Sequence, residues 1–211
     1  MEMEPLGEDF FRRNTLEVAP DLLGTYLVRQ TESGPLVCQI TETEAYIGAI
    51  DKACHAYGNR RTPRTETLYG PPGTSYVYLI YGMYHCLNFI TEEEGVAAGV
   101  LIRGGVPAWD ADGIAQNRYG RLFSELTPYQ RRNLLNGPGK LCKGLCIDRS
   151  FNQRICGDSS LYICQEIPSL GLRAKKPAYT TGPRIGVDYA EEARFFPWRF
   201  LADETIEKKG K

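Results

Sequence analysis

Two carboxylates, an aromatic ring and a histidine fall within the stretch ETEAYIGAIDKACH, residues 42–55. Alternate residues of a β-strand share a face, so a strand here places Glu42, Glu44 and Tyr46 together and turns Thr43 and Ala45 the other way. On an arbitrary protein such a pattern marks a solvated face. Here the neighbouring strand-like runs are apolar or aromatic, and His55 is one of only two histidines in the chain. A carboxylate held beside aromatic walls is partly desolvated. Its pKa then rises towards the range that suits a general base.

The run YVYLIYGMYHCLNF (76–89) has a strand's apolar character, yet it carries Tyr76, Tyr78, Tyr81 and Tyr84. A plain core strand would use Val, Ile, Leu or Phe, because each buried phenol needs a hydrogen-bond partner. Tyrosine also offers a flat face on which a planar ligand can stack. Tyr76 and Tyr84 are read as structural, with their hydroxyls satisfied in the core. Glu44, Tyr46, His55, Tyr78, Tyr81 and Arg103, with nearby basic loops, form a coherent set: rings to stack bases, cations to hold phosphates, one carboxylate to activate water. An enzyme acting on a base inside a duplex must flip it out. A bulky wedge must also fill the space left in the stack, and Tyr81, at a strand turn before Gly82, suits that task. Other chemistries fit poorly. There is no GxSxG elbow for a Ser–His–Asp set. His55 and His85 each neighbour a cysteine, but adjacent strand residues point to opposite faces and the CxxC and HxxxH spacings are missing, so no metal is expected. NGPGKL lacks the full spacing of a phosphate loop.

The elements that must position these residues are short. Asn14 is a candidate N-cap for one or two helical turns in NTLEVAPDLLG (14–24), limited by Pro20. TYLVRQ and LVCQITETEAYI read as strands joined through ESGP, and further strands are expected at 75–81, 84–90, 97–106, in LYICQEI and near PRIGVDY. Residues 48–74 make an unusually long Gly/Arg/Thr/Pro-rich loop, a length that often serves function. SELTPYQRRNLLNG and GKLCKGLCI read as helices separated by NGPG. Hairpins mixed with a few helices point to a single α+β domain over 1–211.

The chain has 211 residues and a formal net charge of −1. That excludes a histone-like polycation but not a local basic face. Arg131, Arg132, Lys140, Lys143, Arg149, Arg154, Arg173, Lys175, Lys176 and Arg184 face only Asp148, Asp158 and Glu166 between positions 130 and 186. RRTPR (60–64) adds a second basic knot, of the kind that binds phosphates. The start, MEMEPLGEDFFRRN, lacks the basic and apolar regions of a signal peptide, and no run reaches the length of a membrane span. Seven cysteines, an odd number set mostly in apolar runs, read as reduced thiols of an intracellular protein.

ETEAYIG, ACHAYGNRRTPR, PGTSYVYLIYGMYHCLN, GVLIR and NGPGKLCKGLCIDRSFNQ together resemble, in order, the motifs of the alkyladenine (3-methyladenine) DNA glycosylases of the mixed α/β class. The resemblance runs from about residue 15 to 200. It implies a curved, mostly antiparallel β-sheet core flanked by helices. It further implies that Glu44 positions and activates the attacking water and that Arg103 helps order it. Tyr46 would stack on the flipped base, with His55 on the other side and Tyr78 beside it. Asn88 would wall the pocket and discriminate among purines, the Val187 backbone in RIGV would be a further partner, and Tyr81 would be the intercalating wedge. The implied activity is monofunctional hydrolysis of the N-glycosidic bond of alkylated, and also deaminated or etheno, purines, opening base excision repair. No cofactor or metal is implied, and no lysine matches a Schiff-base nucleophile. The partner is duplex DNA containing damaged purines, engaged by a monomer without a membrane, in the bacterial cytoplasm at the nucleoid or in a eukaryotic nucleus. A non-catalytic nucleic-acid-binding module would use the same aromatic and basic surface, but there Glu44 would be dispensable. A small-molecule hydrolase would need neither a wedge nor a basic rim.

Overall fold

The computed structural model describes residues 4–203, so the first three residues of the acidic start and the last eight of the expected domain lie outside the described residues. The strands are β1 (Tyr26–Thr31), β2 (Gly34–Ile47), β3 (Ser75–Ile80), β4 (Tyr84–Ile90), β5 (Ala98–Trp109), β6 (Leu161–Cys164), β7 (Glu166–Ile167), β8 (Leu172–Arg173), β9 (Tyr179–Gly182) and β10 (Arg199–Ala202). The helices are α1 (Glu8–Phe11), α2 (Thr15–Asp21), α3 (Ala111–Tyr119), α4 (Pro128–Arg132) and α5 (Pro138–Gly144). β3-β4-β5-β2-β1-β6 lie side by side in one antiparallel sheet, with β10 on β2 and β9 on β10; β7 and β8 form a small separate ribbon. The fold is α+β, as the pattern of hairpins and short helices predicts.

β2 organises the sheet because it is long enough to serve three neighbours. β5 runs along one edge, while β1 (through residues 34–39) and β10 (through 42–44) follow one another along the other. Its alternation then sorts two interiors. Ala45 and Ile40 join Leu27, Leu87, Val100 and Ile102 in the main core beneath the helices, and Thr43 donates its hydroxyl to the Ala19 carbonyl of α2. Glu42, Glu44 and Tyr46 face the opposite way. Truncating a fully buried core side chain such as Leu87 costs roughly 2–5 kcal/mol, so this scaffold is firmly specified.

Local chemistry explains where the elements begin. Asn14 caps α2 by accepting from the Leu16 N–H at 2.9 Å. Thr127 and Gln130 exchange hydrogen bonds in a capping box that starts α4, which is shorter than the helix expected over 124–137. Gly137 at φ +126 then resets the chain for Pro138 at the first turn of α5. α3 escapes a pattern reading because only Ile114 and Ala115 of its nine residues are buried.

Two further expectations are corrected and one is sharpened. The strand expected near PRIGVDY is β9, which ends at Gly182 just before it; PRIGVDY itself is irregular, with Gly186 at φ +77 and Arg184 turned inward to an ion pair. LYICQEI divides between β6 and β7, and β10 was not anticipated. Tyr84 is exposed at the end of the β3–β4 hairpin, with its ring against Gly139, instead of lying in the core. The long 48–74 loop is largely irregular, broken by 3₁₀ turns at Tyr57–Asn59 and Glu66–Tyr69.

Candidate active site

Two adjacent bulges shape the centre of the site. β2 and β5 pair Ile40 with Gly105, Glu42 with Gly104 and Thr43 with Ile102. Thr41 is therefore the extra residue on β2, and Arg103 the extra residue on β5. Each bulge cancels the register shift of the other, and together they aim Arg103 back at the carboxylates of β2. The two glycines permit the close approach, since a Cβ on Gly105 would stand 2.7 Å from the Gln39 carbonyl oxygen.

Register carries the site sideways across the sheet. Arg199 pairs with Glu44, Glu44 with Leu101, Leu101 with Asn88 and Asn88 with Tyr76. Directly paired residues share a face, so one row crosses five strands. Asn88, buried, donates from its side-chain amide to the Tyr76 carbonyl at 3.0 Å.

Glu44 is wholly shielded from bulk solvent. One carboxylate oxygen, Oε1, accepts the Ile185 N–H at 2.9 Å and lies 3.5 Å from Arg103 Nε; the other, Oε2, accepts the Tyr46 hydroxyl at 2.8 Å. Desolvation raises its pKa above the ordinary carboxylate range against the opposing pull of Arg103, the Ile185 N–H and Tyr46. Glu42 is bound differently: its Oε1 receives both Arg103 Nε, at 3.1 Å, and Arg199 Nε. Two guanidiniums commit Glu42 to structure and leave Glu44 as the carboxylate with weaker cationic support.

Aromatic walls flank this acid. Tyr46 packs between two apolar clusters, one containing Cys54, Ala56, Tyr69 and Tyr76 and the other Ala53, Val187, Ala190 and Ala193. Burial, then the Glu44 charge, drives its phenol pKa well above the usual value. Tyr78 and His55 meet edge to face at 4.6 Å between ring centroids, and Tyr76 lies 5.2 Å from Tyr78. His55 Nδ1 is 3.0 Å from the Tyr76 hydroxyl, and Arg64 donates to Nε2 at 3.3 Å. Because Arg64 has only donors, Nε2 is the acceptor and the ring proton sits on Nδ1. Burial and the Arg64 charge push the His55 pKa down to about 4.

The hairpin tip is far more exposed than this pocket. Tyr81 (φ +53) and Gly82 (φ +69) are the central residues of a turn closed by Met83 N–H to Ile80 C=O, the two-positive-φ geometry of a type I′ hairpin. Tyr81 is 79% exposed and Met83 66%. A bulky residue held at positive φ with its ring in solvent is a strained arrangement without a packing reason.

The sequence of this scaffold matches known proteins along nearly its whole length. The methylpurine-DNA glycosylase (MPG) family profile matches residues 9–206. The chain belongs to that family. It is 51% identical over 201 residues to a Clostridium perfringens (strain 13 / Type A) protein named "Putative 3-methyladenine DNA glycosylase", covering 95% of this chain and 96% of that one. Proteins carrying the same name from Desulfitobacterium hafniense (strain Y51), 45% identical over 96% of this chain and 97% of the relative, and from Clostridioides difficile (strain 630), 47% identical over 94% and 100%, agree. The chain is thus a DNA glycosylase, an enzyme that hydrolyses an N-glycosidic bond.

For a glycosylase of this family the structure gathers Glu44, Tyr46 and Arg103 into one bonded group and His55 and Tyr78 into the adjoining wall, with Asn88 in the same lateral row. Val187 is buried among Ala53, Ala190 and Ala193. The same segment's hydrogen bond to Glu44 comes from the Ile185 N–H, two residues earlier. Sequence reasoning missed Arg199, and it counted Arg64 and the inward-facing Arg184 among the phosphate-binding cations, whereas they bond His55 and Asp51. The basic surface is partly committed too, because Arg61, Arg154, Arg173 and Lys176 pair with Glu66, Asp158, Glu166 and Asp21. The acidic TEEEG turn is anchored on the N-terminal helices, with Glu92 accepting from Thr15 and Glu93 paired with Arg12. Among the described residues no group of three or more His, Cys, Asp or Glu side chains is arranged to hold a metal, and no helix is long and apolar enough to cross a membrane.

Proposed function

We propose that this chain excises alkylated purines, and also deaminated and etheno purines, from duplex DNA by base flipping, as one glycosylase domain over residues 1–211. The observation that carries this reading is Glu44: a solvent-shielded carboxylate with a raised pKa, bonded to an aromatic wall on one side and facing an arginine on the other. In the proposed reaction Tyr81 enters the duplex and fills the space the lesion leaves. The flipped base stacks on Tyr46 with His55 and Tyr78 opposite, while Asn88 and the Val187 segment complete the pocket. The C1′–N bond breaks with its electron pair passing to the base, and the sugar moves towards an oxocarbenium ion. Glu44, with Arg103 ordering the water, accepts its proton as the oxygen bonds to C1′, as the base does in an inverting glycosidase. The products are the free base and an abasic site.

Alkylation at N3 or N7 makes the base cationic, so it departs neutral and needs no protonation. A hypoxanthine or ethenoadenine must gain a proton as it leaves. His55, neutral and with Nε2 facing Arg64, is not poised to supply one. The same reading has the protein act as a monomer on damaged duplex DNA, with no cofactor, metal or membrane, at the nucleoid of a bacterial cell, and without lyase activity.

Single-turnover excision from duplexes carrying one ethenoadenine or one alkylated purine, with wild type and Glu44→Gln, tests it. Base release by wild type alone is the expected result. Release by both moves the catalytic role away from Glu44, and release by neither, with duplex binding intact, leaves only binding. A duplex affinity that does not weaken steeply with salt argues against phosphate contacts, and a covalent band on borohydride trapping overturns the absence of a Schiff base.

A further inference from the structure

Arg184 belongs by sequence to the basic run of the chain's second half, yet its side chain and that of Asp51 are both fully buried. Its Nη2 donates to Asp51 Oδ1 at 2.7 Å and to the Ala193 carbonyl at 3.1 Å; its Nη1 donates to Asp51 Oδ2 and to the Ala45 carbonyl at 2.9 Å. The guanidinium carbon lies 4.6 Å from the centroid of the Tyr46 ring and 5.2 Å from that of Trp198. The next residue, Ile185, donates its N–H to Glu44. One planar cation therefore bonds the backbone between Glu44 and Tyr46, rests on the Tyr46 ring, grips the turn that leads to His55, and sits beside the one backbone N–H that, among the described residues, donates to the Glu44 carboxylate.

We infer that Arg184, clamped by Asp51, is the positioning residue of the site: it fixes the plane of Tyr46 and holds the Ile185 N–H on Glu44. The inference rests on the proposed roles of Tyr46 and Glu44. Arg184 touches neither base nor water and acts through those two groups. The fork geometry matters because a guanidinium satisfies two carboxylate oxygens and two carbonyls at once, which an ammonium cannot do. A ring held in one plane stacks without first having to be ordered, and a donor held on Glu44 keeps its carboxylate available for proton transfer at lower pH.

Arg184→Lys keeps the charge and removes the fork. In the folded full-length variant, single-turnover excision should fall roughly 10- to 100-fold, while affinity for undamaged duplex stays as in wild type. The acid limb of the excision rate should also move to higher pH, because the Ile185 N–H lowers the Glu44 pKa and its loosening lets that pKa rise. The charged and titratable groups facing Glu44 are Arg103 from β5, Glu42 and Tyr46 from β2, Tyr78 from β3, Cys86 from β4, Arg199 from β10 and Arg184 itself. Of these, only Arg184 is altered. A purely structural role would lower the unfolding midpoint and leave the limb in place.

Where Arg184→Lys fails to fold, the Asp51→Asn, Arg184→Gln double variant removes both charges and leaves no lone buried ion. It should show the same shifted limb. A folded variant with the wild-type rate and limb overturns the inference. Absence of base release by wild type in the same assay is a different result and overturns the function on which the inference rests.

Discussion

Tyr46 lies against Arg184, donates its hydroxyl to Glu44 and packs between two apolar clusters, whereas Tyr81 stands in solvent on a positive-φ turn at the far end of a hairpin. The first is fixed by every neighbour it has. The second is held chiefly by its own backbone. The strand-borne polar atoms of the pocket are placed by register and by two bulges, so their geometry is set when the sheet folds. The tip has a set backbone and a free ring, which suits a part that must meet its contact on another molecule. One sheet thus carries a preorganised chemical wall and a solvent-exposed probe, and loss of each should produce a different kind of defect.

The largest separation between the two regions should come from Glu44→Gln. Removing the general base costs about 10²- to 10⁴-fold in excision rate, with duplex affinity retained. Stability should not fall. The folded-state pKa of Glu44 is raised, so the fold favours its protonated form, and that contribution is complete below the ordinary carboxylate value and lost as pH rises through the folded value. A neutral amide at this position should leave the unfolding midpoint at pH 7 unchanged or higher. A clear loss of stability would show that Glu44 supports the fold as an ion, and the contrast with Tyr81 would lose its basis.

Tyr81→Ser should give the opposite signature. Losing one aromatic stack of about 1–3 kcal/mol weakens lesion retention and flipping by roughly 10- to 100-fold, while the thermal midpoint hardly moves. Excision from duplex should suffer far more than excision from a lesion in a single strand, which needs no wedge. Equal losses on both substrates would place Tyr81 in the pocket chemistry.

How far these roles could be read from the chain depends on how local their physics is. Strand alternation placed Glu42, Glu44 and Tyr46 on one face, the Asn14 cap marked α2, and the turn after Ile80 pointed to an exposed Tyr81. Arg184 was counted as a surface cation because its charge is visible in the sequence and its burial is not. Asp51, its partner, lies 133 residues away, and nothing nearby announces the pair. Ile185 contributes a backbone N–H, an atom every residue except proline possesses, so side-chain identity could not single it out. The bulges that aim Arg103 come from pairing across two strands and leave no mark in either strand alone.

The histidine in the wall gives a smaller effect, read through acid stability. The His55 pKa falls from 6.5 to about 4 on folding, so the folded state binds fewer protons than the unfolded one. The stabilisation this provides is present above pH 6.5 and is lost as pH falls towards 4. His55→Gln should therefore remove about 1–3 kcal/mol of the pH dependence between those limits, measured by denaturant unfolding at several pH values. An unchanged profile would mean that the imidazole is as freely hydrated as the tip, and the wall would not be the dry surface described here.

The smallest effect, and the one that bears most directly on the tip, is the stability of Tyr81→Gly. An L-residue in the left-handed region carries about 1–2 kcal/mol of steric cost that glycine lacks. Glycine in turn gives the unfolded chain more freedom, which offsets about 0.4–1 kcal/mol. The net change should be stabilising by roughly 0.5–1 kcal/mol, because an exposed ring surrenders little packing when it is removed. Excision from duplex should nevertheless drop as it does for Tyr81→Ser. A protein that becomes more stable and less able to retain its lesion would show that the turn holds strain for the sake of an outward-facing ring. If the glycine variant is instead destabilised, the ring has a partner in the folded protein, and the tip is a second packed surface joined to the pocket.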